Sequence, residues 1–174
     1  MGTNMKVLLF FRVVLCFFAL FLSRLFPEAL VLWFAEKAAK ITALILFLNP
    51  PTLASEGVYL DVFSPNGVLV NASCSGVSFF SILTACVFWI LSERCRGFFA
   101  LILTFIASIA LSIPLAIFAN ALRISVAILF LNFTLGFSDE RFAPTLYMFA
   151  GGVVFLSFLL FITLTLNFGY AKKN

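Results

Sequence analysis

Apolar residues run along this chain in blocks of about twenty, the length at which a helix crosses the hydrocarbon core of a bilayer. The blocks fall at 7–26, 29–48, 75–91, 98–118 and 147–168. A further apolar stretch, 124–135, is too short for an ordinary span. This pattern predicts an all-α integral membrane protein. It has about five transmembrane helices plus one short re-entrant or interfacial helix, in a single multi-span domain over 1–174. Pro27 separates the first block from the second. The middle of the second block carries Glu36, Lys37 and Lys40. Glu36 and Lys40 are four apart and can pair on one helix face. That part reads as interfacial, with Trp33 as an anchor.

The segment 49–73 breaks the pattern. Pro50-Pro51 ends the second block, and 53–73 then holds Glu56 and Asp61 but no Lys or Arg. It alternates weakly over 58–63, turns at Pro65-Asn66-Gly67, and resumes at Val68-Leu69-Val70. A turn signal between two β-branched runs predicts a hairpin, here a small extracytoplasmic one that delivers the chain to Cys74. Basic residues accumulate on the cytoplasmic side of membrane proteins. The Glu93-Arg94-Cys95-Arg96 turn and the Lys172-Lys173 tail therefore read as inside. The third block then runs out to in and the fourth in to out, so Cys74 and Arg123 lie near the outer face. The last block must start outside, which makes 124–135 a re-entrant or surface-lying piece. A full crossing by 124–135 is the competing topology, and it would leave the tail lysines outside. With five crossing blocks the N-terminus is outside. Arg12 interrupts the first block and apolar sequence continues to Phe26, which predicts a retained span rather than a cleaved signal.

Composition agrees. The 174 residues are 64% hydrophobic and 10% charged, with 25 phenylalanines. Soluble domains carry about 25% charged residues, so no separate soluble domain fits. The net charge of +4 sits mostly near span ends, as topology control and not as a nucleic-acid surface. Four cysteines occur without zinc-type spacing, and there is no histidine, so no metal site is expected. No cofactor is implied. Cys74 and Cys86 fall about 18 Å apart on one predicted helix and cannot bridge. Cys16 and Cys86 read as small packing residues.

Two short motifs carry candidate chemistry. Ser73-Cys74-Ser75-Gly76 joins the polar segment to the third block. A cysteine that opens a helix meets free backbone N–H groups and the positive end of the dipole, both of which favour a thiolate. Gly76 permits a close approach, and Ser73 or Ser75 can cap the helix and donate to a developing oxyanion. The plainer alternative is a buried cysteine beside a capping serine. In Asn120-Ala121-Leu122-Arg123-Ile124 a lone arginine sits in apolar sequence. A guanidinium at membrane depth costs about 2.5–3.5 kcal/mol on insertion scales, and such residues usually have a role. Asn120, three residues earlier on the same face, can orient the guanidinium or a substrate. The plainer alternative for Arg123 is snorkelling to headgroups.

Together these pieces resemble the exosortase/archaeosortase family of membrane cysteine transpeptidases. The matching residues are Ser73 to Phe80, Asn120 to Ile124, and a final helix with Gly151 and Phe155. Pro50-Pro51-Thr52 and the compact size look most like the exosortase K type. The resemblance implies an acyl-enzyme on Cys74, with Arg123 stabilising the thiolate or oxyanion and Asn120, Ser75 and Gly76 in support. It implies cleavage of C-terminal sorting signals of exported, membrane-anchored proteins and transfer to an envelope lipid or polysaccharide acceptor. The site would lie on the extracytoplasmic face of the cytoplasmic membrane. The family pattern has a histidine four residues before a glycine of the last helix, and here that position is Tyr147. Three readings stay open: a degenerate or slow member, Tyr147 substituting with Asp139 or Glu140, or a histidine lost by mutation. A relative that binds sorting-signal helices or assists envelope or exopolysaccharide assembly without turnover is the alternative function. A plain scaffold with an inert Cys74 is the third.

Overall fold

The long apolar blocks become helices because little in them breaks a helix. The run GTNMKVLLFFRVVLCFFALF has no internal proline or glycine, the two residues that cost most in a helix interior. The structure is a computed structural model. It describes the backbone of residues 2–54, 57–62, 68–71, 74–134 and 143–171, and their side chains except at 2–5, 131–134, 143–148, 150 and 166–171. Among the described residues the order is α1 (Gly2–Phe21), a 3-10 turn (Leu22–Leu25), α2 (Glu28–Ile45), β1 (Thr52–Ala54), β2 (Gly57–Leu60), β3 (Val68–Val70), α3 (Val77–Ser92), α4 (Phe98–Thr134) and α5 (Ala143–Ala171). The fold is mostly helical. Lys6–Leu25 and Phe98–Phe130 are long and apolar enough to cross a membrane, and Val77–Ser92 and Gly151–Thr165 are shorter apolar helices.

Two compact units interleave along the chain. One comprises Met1–Phe26, Val77–Ala116 and Leu159–Asn174; the other comprises Pro27–Gly76 and Ile117–Phe158. In the first unit, α1 lies antiparallel to α3. Arg12 donates from Nε to Ser92 Oγ at 2.8 Å and from Nη2 to the Trp89 carbonyl at 2.9 Å. Its guanidinium stacks 4.6 Å from the centre of the Trp89 ring. Farther along, Cys16 Sγ approaches the Ala85 carbonyl at 3.8 Å, and the Ser23 N–H donates to Ser81 Oγ at 2.8 Å. Phe26 then packs against Phe80, ring centres 5.4 Å apart. α4 returns against α3, with Phe88 edge-on to Phe105 at 5.2 Å. Ala19, Ala85, Phe88, Leu101 and Phe105 form the buried centre.

In the second unit, Pro27 starts α2 with φ −65° and an extended ψ. Its carbonyl accepts from the Leu30 and Val31 N–H groups. The buried face of α2 is small apart from Phe34: Ala35, Ala38, Ala39, Thr42 and Ala43. Small side chains let the helix approach a sheet closely, and α2 packs on β2 and β3. The sheet is antiparallel in the order β1-β2-β3. Thr52 faces Tyr59, and Val58 faces Val70.

Four expectations are corrected. The predicted hairpin gains a third strand, β1, in a fold that is otherwise helical as expected. The alternation over 58–63 supports a strand only to Leu60, where the pairing with Val68 ends; the turn Pro65-Asn66-Gly67 lies outside the described residues. Residues 124–134 are not a separate short helix. They continue α4 without a break, since Ala119 to Arg123 contain neither proline nor glycine and each residue favours or tolerates a helix. Finally, the expected placement of the N-terminus opposite the 93–96 turn is overturned. The α1–α3 contacts bring residues 7–12 to the end where Trp89, Ser92 and Phe98 lie. That expectation rested on counting 29–48, which holds Glu36, Lys37 and Lys40, as a crossing.

The antiparallel α1–α3 pair makes a labelling prediction. In a background without native cysteines, an impermeant thiol reagent should reach Lys6→Cys and Arg94→Cys from one side of the membrane, and Arg24→Cys from the other. Residue 6 labelling from the side opposite residue 94 would contradict the pairing.

Candidate functional site

The chain leaves β3 and tightens at once. The Cys74 N–H donates to the Asn71 carbonyl at 3.0 Å, closing a single 3-10-type turn. Cys74 is half-buried and Ser75 is buried. Gly76 then adopts φ +79°, a left-handed conformation that costs other residues about 1–2 kcal/mol. This reversal ends the turn before α3 starts at Val77. Cys74 therefore does not open the helix, as the sequence suggested. It sits in the turn that precedes the helix by three residues.

Asn120 holds this turn in place. Its side chain is fully buried, and Nδ2 donates to the Cys74 carbonyl at 2.6 Å. A Cβ on Gly76 would fall 2.8 Å from both Cβ and Cγ of Asn120. Position 76 must therefore be glycine for two reasons, its φ and the amide packed against it. The expectation that Asn120 orients a substrate or the arginine is modified: its donor group engages the Cys74 backbone. Its Oδ1 is buried and accepts no hydrogen bond among the described residues.

Arg123 follows one helical turn later on the same face of α4. Its stem crosses α5 where a side chain is absent. A Cβ on Gly151 would meet Arg123 Cδ at 3.0 Å and Cγ at 3.3 Å. Its guanidinium lies 5.3 Å from the centre of the Phe155 ring, within cation–π range. Gly151 and Phe155 are four apart on α5 and so share a face, as a slot and a platform for one arginine. Phe118 and Phe158, 6.2 Å apart, continue the same antiparallel α4–α5 register. Thr42 of α2 donates to the Ala121 carbonyl at 3.2 Å, between Asn120 and Arg123 in the chain.

The structure thus brings together Cys74, Gly76 and Asn120, and one turn along α4 it brings Arg123 to Gly151 and Phe155. Tyr147 has its backbone on α5, one turn before Gly151 on the same face; its side chain lies outside the described residues. Ser73, Asp139 and Glu140 also lie outside them. The sequence marked Gly151 and Phe155 only as a motif, although their spacing of four was visible. Thr42 gave no signal, because a threonine inside an apolar run reads as neutral. No cluster of three or more metal-ligating side chains occurs among the described residues.

A family model described as "Transmembrane exosortase (Exosortase_EpsH)" matches residues 1–165. The chain belongs to the exosortase family. Exosortases are membrane cysteine transpeptidases that act on protein sorting signals, so membership supports a membrane location and this class of activity. The match reaches back to the first residue, whereas the motifs supported the resemblance strongly only from Pro50 onward. No curated protein and no solved structure matches the chain.

The glycines of this exosortase separate by role. Gly76→Ala meets both the left-handed φ and the Asn120 amide, and should lower unfolding stability by about 1–3 kcal/mol. A Cβ on Gly152 meets nothing within 4 Å, so Gly152→Ala should be neutral or slightly stabilising. Thermal unfolding of the two variants in detergent provides the comparison. Equal stability would mean that Gly76 is not under constraint.

Proposed function

We propose that this exosortase is a membrane-embedded cysteine protease and transpeptidase. It cleaves C-terminal sorting signals of exported, membrane-anchored proteins through an acyl-enzyme on Cys74. The single observation that supports this most is the hold of Asn120 on the Cys74 carbonyl, one helical turn from Arg123. A structural cysteine needs no such hold. The Cys74 thiolate attacks the scissile carbonyl carbon, forming the C–S bond and a tetrahedral oxyanion. Arg123 stabilises the thiolate and then the oxyanion by its charge, with Ser75 and Gly76 in support. Collapse expels the amine, which takes a proton, and leaves a thioester. An envelope lipid or polysaccharide nucleophile then attacks the thioester carbonyl and restores the thiol. We place this chemistry on the extracytoplasmic face of the cytoplasmic membrane. The compact size and Pro50-Pro51-Thr52 favour the exosortase K type.

Tyr147 stands where the family has histidine. In this reading its hydroxyl donates a hydrogen bond near the departing amine. A phenol with a pKa of about 10 is a poor base at neutral pH, so turnover is slow. The absence of histidine from the whole chain favours a second reading, a relative that binds sorting-signal helices or assists envelope assembly without turnover.

Two experiments decide between them. In cells, the catalytic reading expects an adduct on Cys74 that neutral hydroxylamine releases, and none in Cys74→Ala; no adduct in the wild-type chain favours the binding reading. Tyr147→His should raise adduct formation, by up to the roughly 10²–10⁴-fold that a general acid–base supplies. An unchanged yield means that Tyr147 does not occupy the histidine position.

A further inference from the structure

The chain leaves α1 at Phe26 and enters α3 at Val77. Phe26 packs on Phe80, and the Ser23 N–H bonds to Ser81, so both points lie at one end of the antiparallel pair. When α1 and α3 cross a bilayer, residues 27–76 begin and end at the same face and make no net crossing. α2 starts at this face, directly after Pro27. If α2 crossed, the chain between α2 and α3 would have to cross back, and among the described residues that stretch holds a three-stranded sheet and no helix. An open sheet edge does not span lipid.

The surface of α2 carries an independent observation. One side is buried on the sheet side of its unit, and the other carries Trp33, Lys37, Lys40, Leu44 and Phe47. Those positions are spaced four, three, four and three apart, which is one helical stripe. Trp33, Leu44 and Phe47 are 38%, 76% and 93% exposed. Lys37 Nζ sits 5.7 Å from the Trp33 ring centre, and Lys40 pairs with Glu36. Phe47 also has φ +54°. It closes the helix while the Leu48 N–H returns to the Ala43 carbonyl at 2.9 Å. Glycine is the usual residue at such a helix end. A phenylalanine there is strained, and its ring is left without protein cover. Strain held at an exposed aromatic points to a partner for the ring, and lysines beside apolar anchors fit a phospholipid headgroup layer.

We infer that α2 lies along one leaflet as an interfacial helix, with Trp33, Leu44 and Phe47 seated among the upper acyl chains and Lys37 and Lys40 facing the phosphates. The chain then crosses the bilayer four times, through α1, α3, α4 and α5. This inference does not depend on the catalytic reading.

Depth-dependent quenching tests it on the full chain in phosphatidylcholine–phosphatidylglycerol vesicles, with bromine placed either near the glycerol or near the chain ends. The protein has two tryptophans, so Trp89→Phe leaves Trp33 as the sole reporter. Adding Trp33→Phe and Phe47→Trp moves the reporter to position 47. The expected result is that both reporters are quenched chiefly by the shallow bromines and lie at matching depths. A crossing α2 would put the two reporters in opposite leaflets, about 21 Å apart along the helix; in vesicles holding the protein in one orientation, bromolipid exchanged into the outer leaflet alone would then quench only one of them, which overturns the inference. Strong quenching of both by the deep bromines, or of neither by any lipid, also overturns it, the latter meaning water or a protein partner on this face. Spin labels at 33 and 47 in the chain that keeps Trp89 give the same comparison if the tryptophan variants do not fold.

Discussion

The hydrogen bond from Asn120 to the Cys74 carbonyl ties the end of the sheet to the middle of the longest helix. It is short, 2.6 Å, and buried, where an amide–carbonyl bond is stronger than in water and a lost partner costs more. Its geometry depends on Gly76, because any side chain there would displace the amide. It also fixes more than one atom. A peptide unit is planar, so holding the Cys74 carbonyl also fixes the direction of the Ser75 N–H, which points the opposite way. The turn that carries the thiol is thereby set from α4, the helix that also carries Arg123. Gly151 and Phe155 complete the arrangement by receiving the arginine stem and guanidinium. Two short motifs far apart in the chain become one construction because a single helix serves both.

The legible and illegible parts of the sequence divide on physical grounds. Helical blocks were visible because apolar runs of span length have few other uses. The β2–β3 pairing was visible in its alternation and turn residues. β1 was hidden, since Thr52-Leu53-Ala54 is too short to show a period. The unbroken α4 was hidden too. Asn120 and Arg123 look like a boundary between apolar runs, yet polar residues do not stop a helix when their side chains have somewhere to go. The candidate site was legible at Cys74, Asn120 and Arg123, as residue types at odds with their surroundings. What each one touches was not, because Gly76 and Gly151 act by what they lack.

Orientation hung on one step, and the reason is general. Counting charges assigns faces to loops, but the answer then depends on how many blocks cross. Block 29–48 has span-like length, with Glu36, Lys37 and Lys40 in it. Treating it as a crossing put the N-terminus opposite the 93–96 turn. The contacts of Arg12 with Trp89 and Ser92 carry the information that was missing. They are long-range pairings between two helices, of a kind that no local pattern encodes.

α4 extends for 37 residues, about 55 Å along its axis, against about 30 Å of hydrocarbon. Tilt alone cannot absorb so large an excess, since transmembrane helices lean by about 20° on average and rarely beyond 40°. When the helix crosses, part of its length therefore extends beyond the acyl chains. Asn120 and Arg123 sit in the C-terminal half of this rod. Their height relative to the lipid is then a property of the bilayer as well as of the chain. A thinner membrane would leave the cysteine turn farther out in the headgroups, and a thicker one would draw it in. Membrane thickness becomes a variable that acts on this exosortase without touching any of its residues.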